Sequence, residues 1–129
     1  MLENIIIADD SSTARMIIKR CLEIAGAVDA NFLEAANGEE ALQLAKEHSV
    51  DLIVTDLNMP IMDGRALIRH VKTSPKLTHL PILVISSAGN DAVRQDLLRQ
   101  GATAVIDKPV SPAALASVFQ DISNDTEWG

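Results

Sequence analysis

The sequence carries four short runs of Ile, Val, Leu and Ala with no polar residue among them: Ile5-Ile6-Ile7-Ala8, Leu52-Ile53-Val54, Ile82-Leu83-Val84-Ile85 and Ala104-Val105-Ile106. A strand with one face in water alternates apolar and polar side chains, whereas a strand that is apolar throughout is covered on both faces. Helices supply that cover, and helical patterns lie between these runs. A weaker strand, Asn31 to Ala35, falls between the first run and the second. Five strand–helix units with right-handed crossovers make one doubly wound parallel sheet, an α/β fold of flavodoxin-like strand order 2-1-3-4-5 with five helices.

The helices have readable ends. The first opens at Ser11 or Ser12 and carries Ala14, Ile17, Ile18, Cys21 and Ala25 on its expected inner face, with Gly26 to close it. Asn37 caps the second, with Glu40 in the capping-box position. Asp63 caps the third, which buries Leu67, Ile68 and Val71. The fourth runs from about Asp91 to Gln100 and stops at Gly101, before a fifth strand at about Thr103 to Ile106. Ser111 and Pro112 open the fifth helix, whose inner face is Leu115, Val118, Phe119 and Ile122. Residues 1–123 are expected to form the domain and residues 124–129 a polar, frayed tail in which Trp128 touches nothing specific.

The polar residues that end the apolar runs are Asp9-Asp10, Asp56, Ser86 and Lys108. In this topology they meet at the carboxyl edge of the sheet, where open α/β sheets bind ligands. Three carboxylates crowded together repel unless one takes a proton or a cation neutralises them. Mg²⁺ suits such a site, because it takes oxygen ligands and pairs carboxylates with phosphate. Taken singly, each residue has a plainer reading. Asp9-Asp10 fits a helix cap, Asp56 a turn, Lys108 a solvated surface and Ser86 a bond within its own loop.

Composition narrows the function classes. A length of 129 residues, 47% of them apolar, suits a single folded domain. A net charge of −7 with no basic cluster disfavours nucleic acid and anionic membrane surfaces. The single cysteine, Cys21, fits a reducing compartment and reads as a small core residue. No apolar stretch approaches the ~18 residues of a membrane span, and no signal peptide is evident, so a cytoplasmic protein is expected. His48, His70 and His79 are scattered without metal-ligand spacing.

Four motifs in order resemble the receiver domain of two-component response regulators, the CheY-like family, over about Glu3 to Ile122. They are Asp9-Asp10, Asp56-Leu57-Asn58-Met59-Pro60-Ile61-Met62-Asp63-Gly64, Ser86, and Lys108-Pro109. The resemblance implies that Asp56 is a phosphoacceptor, taking a phosphoryl group from a histidine of a partner kinase or phosphotransfer protein. It implies Mg²⁺ held by Asp10, Asp56 and the backbone carbonyl of Asn58, with Asp9 acting through water. It implies Lys108 on a phosphate oxygen, Ser86 bonding the new phosphoryl group, and a cis Lys108–Pro109 bond. Met59 and Met62 are expected to pack the Asp56 loop, and Asp107 to be exposed.

The chain departs from the family's pattern at position 105, where the family often has a Tyr or Phe whose ring turns inward. Val105 has no ring to swing and one strongly preferred rotamer. Signal is therefore expected to pass through the Ser86–Asn90 loop and helix four, and to reach a partner on the helix four–strand five–helix five face. Ala88 replaces an acidic or amide residue that often modulates loss of phosphate. Two other functions fit less well. A Mg²⁺-dependent phosphohydrolase with an aspartyl nucleophile normally has a second acid where Asn58 stands. A phosphate-independent scaffold would have no need of all these polar residues.

Overall fold

The computed structural model describes residues 2–87 and 91–128, with side-chain surroundings given as far as Ile122. Strands β1 (Asn4–Ala8), β2 (Asn31–Ala35), β3 (Leu52–Asp56), β4 (Ile82–Ser86) and β5 (Ala104–Asp107) form one sheet in the order β2-β1-β3-β4-β5. Every neighbouring pair is parallel. β3 and β4 are buried along their whole length, as their apolar runs demand. The edge strands β2 and β5 expose residues at their ends.

Helices α1 (Ser12–Ile24) and α5 (Pro112–Trp128) cover one face of the sheet, where Ile18, Cys21, Leu22, Leu115 and Ile122 pack on Ile5, Ile7, Val54 and Ile85. Helices α2 (Gly38–Glu47), α3 (Gly64–Lys72) and α4 (Asp91–Gln100) cover the other with Ala41, Ala45, Leu67, Ile68, Val71 and Leu97. The alternating side chains of each strand feed these two cores in turn.

Caps fall where the sequence places them. Ser11 Oγ accepts from Ala14 N, Asn37 Oδ1 from Glu40 N and Asp63 Oδ1 from Ala66 N. The Glu40 carboxylate reaches back to Ala36 N rather than to the cap residue itself. Ser111 Oγ accepts from Ala114 N at the start of α5. Gly26 and Gly101 take the left-handed conformation that ends α1 and α4.

Two expectations need correction. Ile17 is 51% exposed rather than inward, because the buried stripe of α1 runs through Ile18, Cys21 and Leu22. One residue back is about 100° around the helix, off the sheet. The second correction concerns α5, whose backbone stays helical to Trp128, past Ile122, where the apolar pattern stops. That pattern marks which residues are buried, and it does not mark where the helical hydrogen bonds end. Ser123 to Trp128 contains no Gly or Pro to break them. The side chain of Trp128 lies outside the described surroundings. β4 gains Ser86, and β5 begins and ends one residue later than the sequence pattern implies.

Candidate functional site

The register of the sheet builds the site. Ala8 lies opposite Thr55, so the residues that follow them, Asp9 just past β1 and Asp56 as the last residue of β3, lie side by side at the carboxyl edge. Ser86 lies opposite Asp107, which puts Lys108 one step beyond it. The backbone N–H of Lys108 donates to the carbonyl of Ser86 at 2.8 Å, extending the β4–β5 pairing past the end of the ladder.

Carboxylate oxygens of Asp9, Asp10 and Asp56 lie within 4.8 Å of one another. Lys108 Nζ reaches Asp56 Oδ1 at 3.1 Å. Asp56 is 7% exposed and Asp9 2%, whereas Asp10 is exposed. Asp9 Oδ1 accepts from Ser11 N at 2.9 Å, and Asp9 Oδ2 is buried with no hydrogen-bond partner. Burial pushes the Asp9 carboxyl above its ordinary value, and the charges of Asp56 and Asp10 push the same way. The Ser11 N–H and Lys108 pull against them. A buried acceptor without a donor, beside two more hard oxygen donors, fits a divalent cation such as Mg²⁺.

The remaining residues named from the sequence surround this cluster. Ser86 is buried at the end of β4. Asn58 is exposed, two residues beyond Asp56. The Lys108–Pro109 peptide bond is cis. Val105 is buried in the α2–α3–α4 core with Val84 and Leu97. Met59 and Met62 pack on that core from the Asp56 loop. Residues 88–90, and with them Ala88 and most of the Ser86–Asn90 loop, lie outside the described residues. Cys21 is buried, with Sγ 3.9 Å from the Val110 carbonyl, and the three histidines are exposed. An open cleft of about 440 Å³ adjoins the site between α1 and the Lys108–Val110 segment, and the exposed Ile17 lines it.

Several supporting residues are not visible in the sequence. Arg15 Nη1 donates to the Asp9 carbonyl at 2.6 Å while its Nε pairs with Glu34 on β2 at 2.8 Å. Nothing in the local pattern separates Arg15 from the surface residues Lys19 and Arg20. Thr55 Oγ1 donates to the Asp56 carbonyl at 2.8 Å. Gly64 passes so close that a Cβ there would sit 2.6 Å from that same carbonyl oxygen. Ile61, 77% exposed, holds φ at +67°, a conformation that β-branched residues rarely adopt.

The sequence matches the family model for the response regulator receiver domain over residues 5–120. The chain belongs to the response regulator receiver domain family. Among its relatives is a protein described as a Chemotaxis protein CheY homolog from Campylobacter jejuni, 36% identical over 92% of this chain and 90% of that one. A segment of the Sensor histidine kinase CheAY of Helicobacter pylori is also 36% identical, covering 87% of this chain but 14% of that protein. Among solved structures, the chemotaxis response regulator CheY4 of Vibrio cholerae superposes with a TM-score of 0.81 at 29% identity, over 95% of this chain and 99% of that one. Receiver domains of this kind share the five-stranded order seen here, and the carboxylates, Ser86 and Lys108 occupy its carboxyl edge. No helix among the described residues is long and apolar enough to cross a membrane.

Proposed function

We propose that Asp56 accepts a phosphoryl group from a phosphohistidine of a partner kinase or phosphotransfer protein, and that the modified domain changes its binding to a further protein. The observation that carries this reading is the placement of Lys108 Nζ 3.1 Å from Asp56 Oδ1, inside a cluster of three carboxylates. Phosphoryl transfer asks the protein mainly for in-line positioning and neutralised charge; Lys108 brings one positive charge to the three carboxylates, and a bound cation would offset the rest. A carboxylate oxygen of Asp56 attacks phosphorus, the P–N bond to the imidazole breaks, and the nitrogen leaves with its electron pair. Lys108 moves from Asp56 to a phosphoryl oxygen, because the acyl bond consumes the charge of the Asp56 carboxylate and the phosphoryl group carries about −1.5 to −2 in its place. The buried Ser86 hydroxyl donates to another phosphoryl oxygen.

Asp10, Asp56 and the Asn58 carbonyl would hold Mg²⁺, with Asp9 acting through water. Bound there, the ion would offset the carboxylates and the incoming phosphoryl oxygens. The protein acts as a phosphoacceptor rather than turning over a separate substrate, in the cytoplasm, through the face formed by α4, β5 and α5. The family, its chemotaxis relatives and the matching segment within a sensor histidine kinase support this reading.

Intact-mass measurement after incubation with acetyl phosphate tests it. One added phosphoryl group is expected with Mg²⁺, none without it and none on Asp56→Asn. Full labelling of the Asn variant would sink the assignment. Continuous release of phosphate over many turnovers would favour a hydrolase, and no label at all a phosphate-independent scaffold.

A further inference from the structure

Helix α4 is lightly embedded in the fold. Leu97 is its one fully buried side chain, and the element packs against α3 and β5. Polar contacts hold its other turns. Arg94 donates from Nη1 to the backbone carbonyl of Val105, and its Nη2 lies 3.0 Å from Asp107 Oδ2. On the other flank, Asp96 Oδ2 accepts from Arg65 Nη1 of α3 at 2.6 Å.

Both tethers end on segments that lead out of the site. Arg65 follows the loop that begins at Asp56 and closes at Gly64, where Gly64 N donates to the Leu57 carbonyl. Asp107 immediately precedes Lys108, the residue that bonds Asp56. The Arg94 guanidinium therefore grips the last turn of backbone before the lysine at two points, one a main-chain oxygen and one a side chain. Asp107 is joined to Lys108 by one peptide bond, so a shift of the backbone at Lys108 as its side chain turns to a new phosphoryl group is felt at Asp107. An element fastened by part-buried polar contacts, with little buried apolar area, shifts at low cost.

We propose that Arg94 is the residue through which α4 reads the state of the Asp56 site: it holds α4 against the end of β5 in the unmodified protein and lets go when Lys108 is drawn to phosphate. Arg94 is a positioning residue, acting through β5 and touching no reacting atom. It stands where Val105 offers no aromatic ring to couple strand and helix, and its grip on the Val105 carbonyl uses the main chain at that same position. The inference rests on the proposed phosphorylation of Asp56. By linkage, a contact that stabilises only the unmodified arrangement opposes modification, so removing it favours modification.

The test uses the full chain, Arg94→Gln and Asp107→Asn, with amide spectra before and after labelling by acetyl phosphate with Mg²⁺, and with the extent of labelling. Arg94 is half-buried at the surface, so Gln there preserves the fold. The α4 amides of unlabelled Arg94→Gln are expected to lie part-way along the line joining the unlabelled and labelled positions of the parent. The ratio of labelled to unlabelled protein at a fixed acetyl phosphate concentration is expected to rise about 2- to 10-fold, the range set by one ion pair and one hydrogen bond at a half-exposed site. Asp107→Asn, which keeps the bond to the Val105 carbonyl, should fall between parent and Arg94→Gln. If the α4 amides of unlabelled Arg94→Gln match the parent and labelling shifts them in full, the proposal is wrong. It is also overturned if they move off that line, the mark of a merely structural role. A parent that takes no label refutes the reading of Asp56 instead. The grip of Arg94 is then judged by hydrogen exchange, where unchanged α4 protection in Arg94→Gln overturns it.

Discussion

At the scale of single residues, Asp9 holds the most strained charge. It is buried, one carboxylate oxygen has no donor, and two further carboxylates face it. A buried acceptor left unsatisfied costs roughly 1–3 kcal/mol. Asp9→Asn keeps an oxygen for the Ser11 N–H and removes the charge. Without metal at neutral pH it is expected to be more stable than the parent by about 1 kcal/mol, or about 3–5 °C in Tm. The pH dependence has a definite sign. The folded-state value of Asp9 is raised above its ordinary 3.8, so protonated Asp9 contributes stability at low pH that is lost as pH rises through the raised value. The advantage of the Asn variant should therefore shrink as pH falls through the window between that raised value and 3.8. Calorimetry in EDTA from neutral to acid pH checks both statements. An Asn variant that melts below the parent at pH 7 would show that the charge is already compensated.

At the scale of elements, the site depends on how closely α3 approaches the end of β3. The Gly64 backbone passes over Asp56, with its N–H on the Leu57 carbonyl at 2.8 Å. A methyl group there would meet the Asp56 carbonyl oxygen at 2.6 Å and Leu57 Cα at 3.1 Å, both backbone atoms that cannot swing aside. Alanine is the better helix former by about 1 kcal/mol, but overpacking of this kind costs about 1–3 kcal/mol. Gly64→Ala is expected to lower the urea midpoint and to slow labelling of Asp56. An unchanged midpoint with normal labelling would mean that α3 can retreat freely from the loop. Gly38 is held in the same way on the other side of the loop, where its N–H donates to the Met62 carbonyl at 2.8 Å. The Asp56 loop is thus clamped between two helix starts, and Ile61 at φ +67° is the strained residue between them.

At the scale of the whole molecule, an ion that binds only the folded chain stabilises it by mass action. Adding Mg²⁺ is expected to raise Tm progressively, by an amount corresponding to about 2.7 kcal/mol at a hundred times its dissociation constant. Asp10→Asn should remove most of that response. A variant that gains as much from Mg²⁺ as the parent would exclude Asp10 as a ligand. Much of this architecture is legible in the residues alone. Ile5-Ile6-Ile7 and Ile82 to Ile85 declare strands covered on both faces, because one strand's composition records whether water reaches either side of it. Ser11, Asn37 and Asp63 declare helix starts, because a cap bonds a backbone N–H two or three residues away. The polar residues that end the strands then collect at one edge, since parallel strands all point their carboxyl ends the same way. Other features needed the folded chain. Ile17 reads as an inner-face residue, but helix rotation against the sheet turns it out to solvent. The end of α5 escapes an apolar pattern that speaks only of burial. The bond of Arg15 to the Asp9 carbonyl, the passage of Gly64 over Asp56 and the grip of Arg94 on β5 join elements through space. Local composition determined the strands, the helix starts and the edge at which the acids meet. The contacts that hold and couple that edge were decided only by tertiary packing, because they depend on how far apart and at what rotation two helices settle on a shared sheet, and no short stretch of sequence encodes that.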